Sequence, residues 1–284
     1  MNRWIQRGFK RSRRRKRGII CIAVALAAIL VIVSAIRIIS YYEQKERDEK
    51  NTEEMRAEVT VTPELAAIST APAVETGESA DDEQETEAEE NGRLMKVEYT
   101  GVEDDRFIAL RKKYPDFIGW LKIDGETDEP VVQRDNEFYL DHDAGGRKNI
   151  NGALFLDAIV DLKTRPYSLI IYGHNMRSGA KFGNLYRYEE PSFFFSHSLI
   201  TFDTIYENGT YEAFAAGTFK TDDIDIFFMN TLDVTERKLM IKSLRENAAV
   251  DTGADIRAAD QLLFLITCVD NDTERRFVAA KRKN

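Results

Sequence analysis

Hydrophobic positions follow three regimes along this chain. Gly18 to Ile36, GIICIAVALAAILVIVSAI, is an unbroken apolar run with no charge. As a helix rising about 1.5 Å per residue it extends about 28 Å, close to the roughly 30 Å hydrocarbon core of a bilayer, and so predicts a membrane-spanning helix over residues 18–39. Between Glu43 and Val97 apolar positions thin out and 17 acids stand against six bases. Such a segment buries too little apolar surface to fold alone, which predicts a largely disordered acidic stalk over residues 40–98. Its beginning, Tyr41 to Val59, has the other course open of continuing the anchor as a charged helix.

From about Tyr99 onward the pattern is of short β-branched and aromatic runs separated by Gly, Asp and Asn turns. IGWLKI (Ile118 to Ile123), PVVQ (Pro130 to Gln133), ALFL (Ala153 to Leu156), SLIIY (Ser168 to Tyr172), SLITFD (Ser198 to Asp203), GTYEAFAAGT (Gly209 to Thr218), LLFLIT (Leu262 to Thr267) and RFVAA (Arg276 to Ala280) predict strands. About eight short strands imply a mainly β sandwich or barrel. Two accessory helices are expected. Asp104 to Tyr114 sets Phe107, Ile108 and Leu110 among charges ahead of Pro115, and Asp233 to Asn247 opens with a capping-box pattern to Glu236 and repeats apolar residues at Met240, Leu244 and Ala248.

Charge adds the topology. Nine of the first 17 residues are Lys or Arg and none is acidic. A basic block before an apolar span holds the N-terminus in the cytoplasm and places the rest outside the cell membrane. A cleaved signal peptide would instead have an apolar run of about 7 to 15 residues and a small-x-small site, which is not found. The overall charge of −9 is a sum of opposed blocks and gives no sign of a nucleic-acid surface. Residues 99–284 suffice for one domain with a sizeable core.

Of the two cysteines, Cys21 lies in the apolar run and only Cys268 in the folded part. An extracellular domain with one unpaired thiol carries a candidate reactive group. A thiol attacks as thiolate, and this needs a nearby proton acceptor or positive charge. Three histidines are available. His142 sits among acids in YLDHD, His197 in FFFSHS before a strand, and His174 in IIYGHNM, just past an apolar strand and inside a Gly-rich turn. Taken singly, each is more often a turn or surface residue, a lone Cys is more often a small buried apolar group, and most arginines are solvated.

Several segments match one family together. YGHNM (Tyr172 to Met176), LITC (Leu265 to Cys268) and RFVAAK (Arg276 to Lys281), with YPDFIGWLKIDG, PVVQ, DNEFYLDHD and GALFLD earlier, resemble the sortases, and class B sortases in particular. The resemblance covers nearly all of Asp104 to Lys281, in the order His, Cys, Arg. It implies a sortase-type eight-stranded β-barrel acting as a cysteine transpeptidase without cofactor or metal. His174 would be the general acid and base, Cys268 the nucleophile, and Arg276 the group that binds the substrate carbonyl and the oxyanion, with Arg275 a rival for that role. Thr267 would shape the pocket, Asp270 would orient His174, and Asn175 would support the site.

The substrates implied are secreted proteins with a C-terminal sorting signal, NPxTN-like or xPxTG-like, cleaved at the Thr carbonyl. The acceptor would be an amine of a peptidoglycan precursor or a pilin lysine. The helix at Asp233 to Asn247 would form one wall of the substrate groove. Ile266, where class B members often have Ser, and the short connection from Cys268 to Arg276 depart from the pattern. A sortase-like binding module without activity is disfavoured by intact His174, Cys268 and Arg276. An L,D-transpeptidase is disfavoured because its His lies a few residues before its Cys in an SHGC-like segment, and no such segment occurs.

Overall fold

The computed structural model describes residues 3–60, 103–164, 166–221, 230, 232–257, 260–269 and 273–283. The chain divides into two units, Met1–Arg47 and Asp48–Asn284. The boundary falls inside α1, Arg3–Thr60, so residues 41–59 take the helical course. A stretch of α1 within Val24–Val59 is long and apolar enough to cross a membrane, with a mean hydropathy of 2.4 and none of that window buried. Of the expected stalk, residues 61–98 lie outside the described residues.

The second unit is built on strands β1 (Phe117–Ile123), β2 (Thr127–Val132), β3 (Leu154–Leu156), β4 (Ser168–Tyr172), β5 (Leu199–Thr204), β6 (Thr210–Lys220), β7 (Ala248–Asp251), β8 (Leu262–Cys268) and β9 (Glu274–Arg282). Their order is β5-β1-β2-β3-β4-β8-β9-β6-β7, and β5 also pairs with β6. That extra pairing closes eight strands into a barrel and leaves β7 outside the ring as a ninth. Closure removes the edges that an open sheet would present. Most neighbours are antiparallel, while β2–β3 and β4–β8 are parallel.

Each of the eight ring strands sends alternate side chains into one cluster, among them Leu121, Val131, Leu156, Ile171, Phe202, Leu265 and Val278. The period of two along a strand makes this the barrel interior. The opposite faces of β4, β6, β8 and β9 contribute Ile170, Phe214, Phe264 and Phe277 to a second cluster, which α4 (Val234–Glu246) covers with Ile241 and Leu244. The capping box is formed, with Asp233 accepting from Glu236 N and the Glu236 carboxylate accepting from Asp233 N. Met240 is only partly buried; the inward face runs through Arg237, Ile241 and Leu244.

A third cluster joins α2 (Asp105–Lys113) through Phe107 and Leu110 to Phe117, Trp120, Tyr139 and Phe155, and includes Met55 from the end of α1. Asp104 caps α2 by accepting from Arg106 N at 2.9 Å. Three short elements and one strand had no clear pattern of their own in the sequence. They are the 3-10 turns at Phe138–Leu140 and Leu185–Glu189, α3 (Pro191–Ser196) and β7. Each has six residues or fewer, too short for a periodicity to register.

Candidate active site

The site is assembled by strand register. β4 and β8 run parallel with Tyr172 beside Ile266, and Gly173 N donates to Ile266 O at 3.2 Å. β4 ends at Tyr172, and His174 comes two residues past that end, as Cys268 comes two residues after Ile266 at the end of β8. β8 and β9 run antiparallel with Thr267 opposite Arg276 and Cys268 opposite Arg275. The parallel pairing of β4 with β8 thus brings together the chain segments that lead to His174 and Cys268, 94 positions apart in sequence.

Cys268 is a free thiol and half-buried. Thr267, next to it on β8, is 2% exposed. Thr267 Oγ1 has no hydrogen-bond partner among the described residues.

His174 is held by the 138–152 segment. Its Nε2 hydrogen-bonds to the Leu140 carbonyl. A carbonyl can only accept, so this bond puts the proton on Nε2 and leaves Nδ1 as the basic nitrogen. The ring also lies against Gly152, whose φ is +62°; a Cβ there would be 2.9 Å from His174 Cδ2 and 2.6 Å from Tyr139 O. A side chain at 152 would therefore push on the imidazole and strain the backbone at once. Asn175 pairs through its backbone with Lys181, and Phe182 N donates to His174 O at 3.0 Å, which closes the turn that carries the histidine.

Arg276 is fixed by a carboxylate that no sequence pattern marked. Its Nε donates to Glu189 Oε1 at 2.7 Å, and the same oxygen accepts from Thr218 Oγ1 at 3.0 Å. Arg276 is 14% exposed and its two terminal nitrogens have no partner among the described residues. Glu189 sits at the end of a 3-10 turn 87 residues away, beside an open cleft of about 680 Å³ lined by Tyr186, Phe193 and His197. Arg275 Nη1 donates to the Glu274 carbonyl at 3.1 Å. Asp270 lies outside the described residues.

The other two histidines have structural surroundings. His142 stacks on Phe138 at 3.9 Å and donates from Nδ1 to Phe138 O. His197 stacks on Phe193 at 3.9 Å and contacts Ser196. The cavity of about 380 Å³ between α4 and residues 253–257 is lined by Tyr167, Arg237, Ile241 and Arg245, and by none of the expected site residues.

No family model matches the chain. It is 29% identical over 177 residues to sortase B of Listeria monocytogenes, an alignment covering 61% of this chain and 70% of that protein. Sortase B of Staphylococcus aureus is 27% identical over 185 residues, covering 62% and 74%. The crystal structure of Bacillus anthracis sortase B in complex with AAEK2 superposes with a TM-score of 0.64 at 25% identity, covering 85% of this chain and 96% of that one. This chain is similar to class B sortases. Its closed barrel is the fold of those structures, and the likeness supports a cysteine transpeptidase in general terms. A sortase-type reaction needs a thiol, a proton-transfer group and a cationic donor together. The ends of β4, β8 and β9 bring one candidate for each to neighbouring positions in this chain.

Proposed function

We propose that this chain is a membrane-anchored sortase that cuts the C-terminal sorting signal of secreted proteins and joins the new terminus to an amine of the cell wall. The observation that supports this reading is the register of three adjacent strands, with Tyr172 beside Ile266, two residues short of His174 and Cys268, and with Thr267 paired to Arg276 and Cys268 to Arg275.

In the proposed reaction the Cys268 thiolate attacks the Thr carbonyl carbon of the signal. The carbonyl π electrons move onto oxygen, and the Arg276 guanidinium stabilises that charge with its terminal N–H groups. Collapse breaks the C–N bond, and the leaving amine takes its proton from His174. The acceptor amine then attacks the thioester, His174 removes its proton, and Cys268 leaves as the thiolate, which restores the starting pair of thiolate and protonated His174. Each amide broken is replaced by an amide formed, so the exchange is close to balanced in energy. Glu189 supports this by holding Arg276 through Nε, the edge not needed for the oxyanion. In this reading Thr267 shapes the pocket, Asn175 supports the histidine turn, and Asp270 orients His174.

The basic residues 1–17 stay in the cytoplasm, residues 18–39 cross the membrane, and the barrel lies outside, where emerging substrate and lipid-linked acceptor meet. The test uses the full chain in detergent micelles with a peptide library of NPxTN-like and xPxTG-like signals. Mass spectrometry should show a Cys268 acyl adduct with loss of the C-terminal fragment. Adding wall-crossbridge amines or lysine peptides identifies the acceptor. Absence of an adduct with every peptide, or transfer by Cys268→Ala, would overturn the reading.

A further inference from the structure

Lys181 is a buried charged side chain near the site, and nothing in the reaction uses it. Its ammonium lies 2.6 Å from Glu129 Oε2 on β2 and 3.0 Å from Asp48 Oδ2 on α1, with 3% of the side chain exposed. Burial alone would push its pKa down, but the attraction of Glu129 and Asp48 and their hydrogen bonds hold it above the ordinary lysine value. Its backbone has φ +56°, the one positive φ of a non-glycine residue among those described. A β-carbon in that region is strained and persists only where the surroundings over-determine it.

Lys181 closes the turn that begins at His174, through the Asn175–Lys181 bridge and the Phe182 N to His174 O bond. The same face of α1 reaches the other support of the histidine. Asp48, Asn51 and Met55, spaced as one helical stripe, are 7%, 4% and 0% exposed. A Cβ on Gly145 would sit 3.3 Å from Asn51 Nδ2, and Met55 packs in the cluster that holds Tyr139 and Ala144. Gly145 and Tyr139 belong to the 138–152 segment, whose Leu140 carbonyl binds the imidazole.

We infer that the Asp48–Met55 face of α1 is part of the catalytic unit's working structure, and that Lys181, clamped by Asp48 and Glu129, is a positioning residue for His174. The helix turns that follow the apolar stretch thus complete the support of the imidazole from both sides, and an excised barrel beginning at residue 99 would lack them. The inference rests on the proposed role of His174, and its test separates the two.

The full chain in detergent micelles is labelled at histidine Cε1, which gives three resonances for His142, His174 and His197, with His174→Gln assigning the second. Asp48→Asn keeps the shape of the helix face but leaves Lys181 with one carboxylate; Lys181→Met removes the ammonium. Both should move the His174 resonance while His142 and His197 stay put. With a sorting-signal peptide, kcat should fall roughly 10- to 100-fold, the cost of a displaced catalytic group, while KM changes little. Lys181→Arg should recover part of kcat. A lower melting temperature with an unmoved His174 resonance and wild-type kcat would overturn the inference. A wild-type chain inactive on every peptide would count against the proposed function alone, because the resonance shifts still decide the positioning role.

Discussion

Arg276 donates its Nε hydrogen to Glu189 at 2.7 Å, so the guanidinium is held by one edge, and its terminal nitrogens have no partner among the described residues. An oxyanion donor is effective when it is fixed before charge develops, and a rigid fork gripped at its stem meets that condition. Arg275, directly opposite Cys268, instead donates to the backbone carbonyl beside it.

These placements separate the two arginines by kinetics. Arg276→Lys should lower kcat about 10²- to 10³-fold, the usual cost of an oxyanion donor. Glu189→Gln should cost roughly tenfold, or about 1.4 kcal/mol of lost orientation. Arg275→Ala should stay within about fivefold, as for a partly exposed contact. Steady-state cleavage of a fluorogenic sorting peptide measures all three. A larger loss in Arg275→Ala than in Arg276→Lys would exchange the roles.

Gly152→Ala should be damaging out of proportion to its single methyl. The backbone there has φ +62° and the new carbon would meet Tyr139 O and His174 Cδ2. A loss of about 1–3 kcal/mol from backbone strain is expected, together with reduced activity in the fraction that remains folded. Urea unfolding and active-site titration with a thiol reagent check the two effects separately.

The buried Lys181 sets a pH window. Its folded pKa lies above the ordinary 10.5, so its contribution to stability is complete below about pH 10 and is lost as pH rises through the folded value. The stability gap between wild type and Lys181→Met should therefore be flat from pH 6 to about pH 9 and narrow at higher pH. Denaturant midpoints of the two chains, measured in parallel, give that difference. A gap that narrows between pH 6 and about pH 9 would mean that some other group is responsible.

Thr267→Val is expected to leave stability within about 0.5 kcal/mol of wild type or to raise it, because the buried Oγ1 gives up no protein hydrogen bond among the described residues. A stability-neutral variant with reduced kcat would assign the hydroxyl to the reaction. One with unchanged kcat would leave Thr267 a packing role beside Cys268.

Asp233→Ala breaks both halves of the capping box at the start of α4 and should cost about 1 kcal/mol. Ile241 and Leu244 anchor that helix on the barrel's outer cluster, so proteolysis should increase first within residues 232–247. Uniform destabilisation with no local change in proteolysis would show that the helix does not open by itself.

Strands and long helices were legible because their signals are local. Period-two apolar runs marked eight of the nine strands, and Asp233 with Glu236 marked the start of α4. β7 was not legible, since Ala248–Asp251 is four residues long and owes its pairing to β6. Sequence likewise offered two courses for residues 41–59. The helical one prevails where Asp48, Asn51 and Met55 find partners on the barrel.

The sequence by itself determined the apolar helix, the lone thiol outside it, the strand-rich domain, and the three segments around His174, Cys268 and Arg276. These depend on composition, periodicity and residue types close together in the chain. Only the tertiary structure decided that β4, β8 and β9 are neighbours, that Glu189 holds Arg276, and that Asp48 and Glu129 meet on Lys181. Those pairings join residues up to 133 positions apart, and no local propensity encodes them; they arise when a closed barrel buries its interior and each charge left inside must find an opposite one.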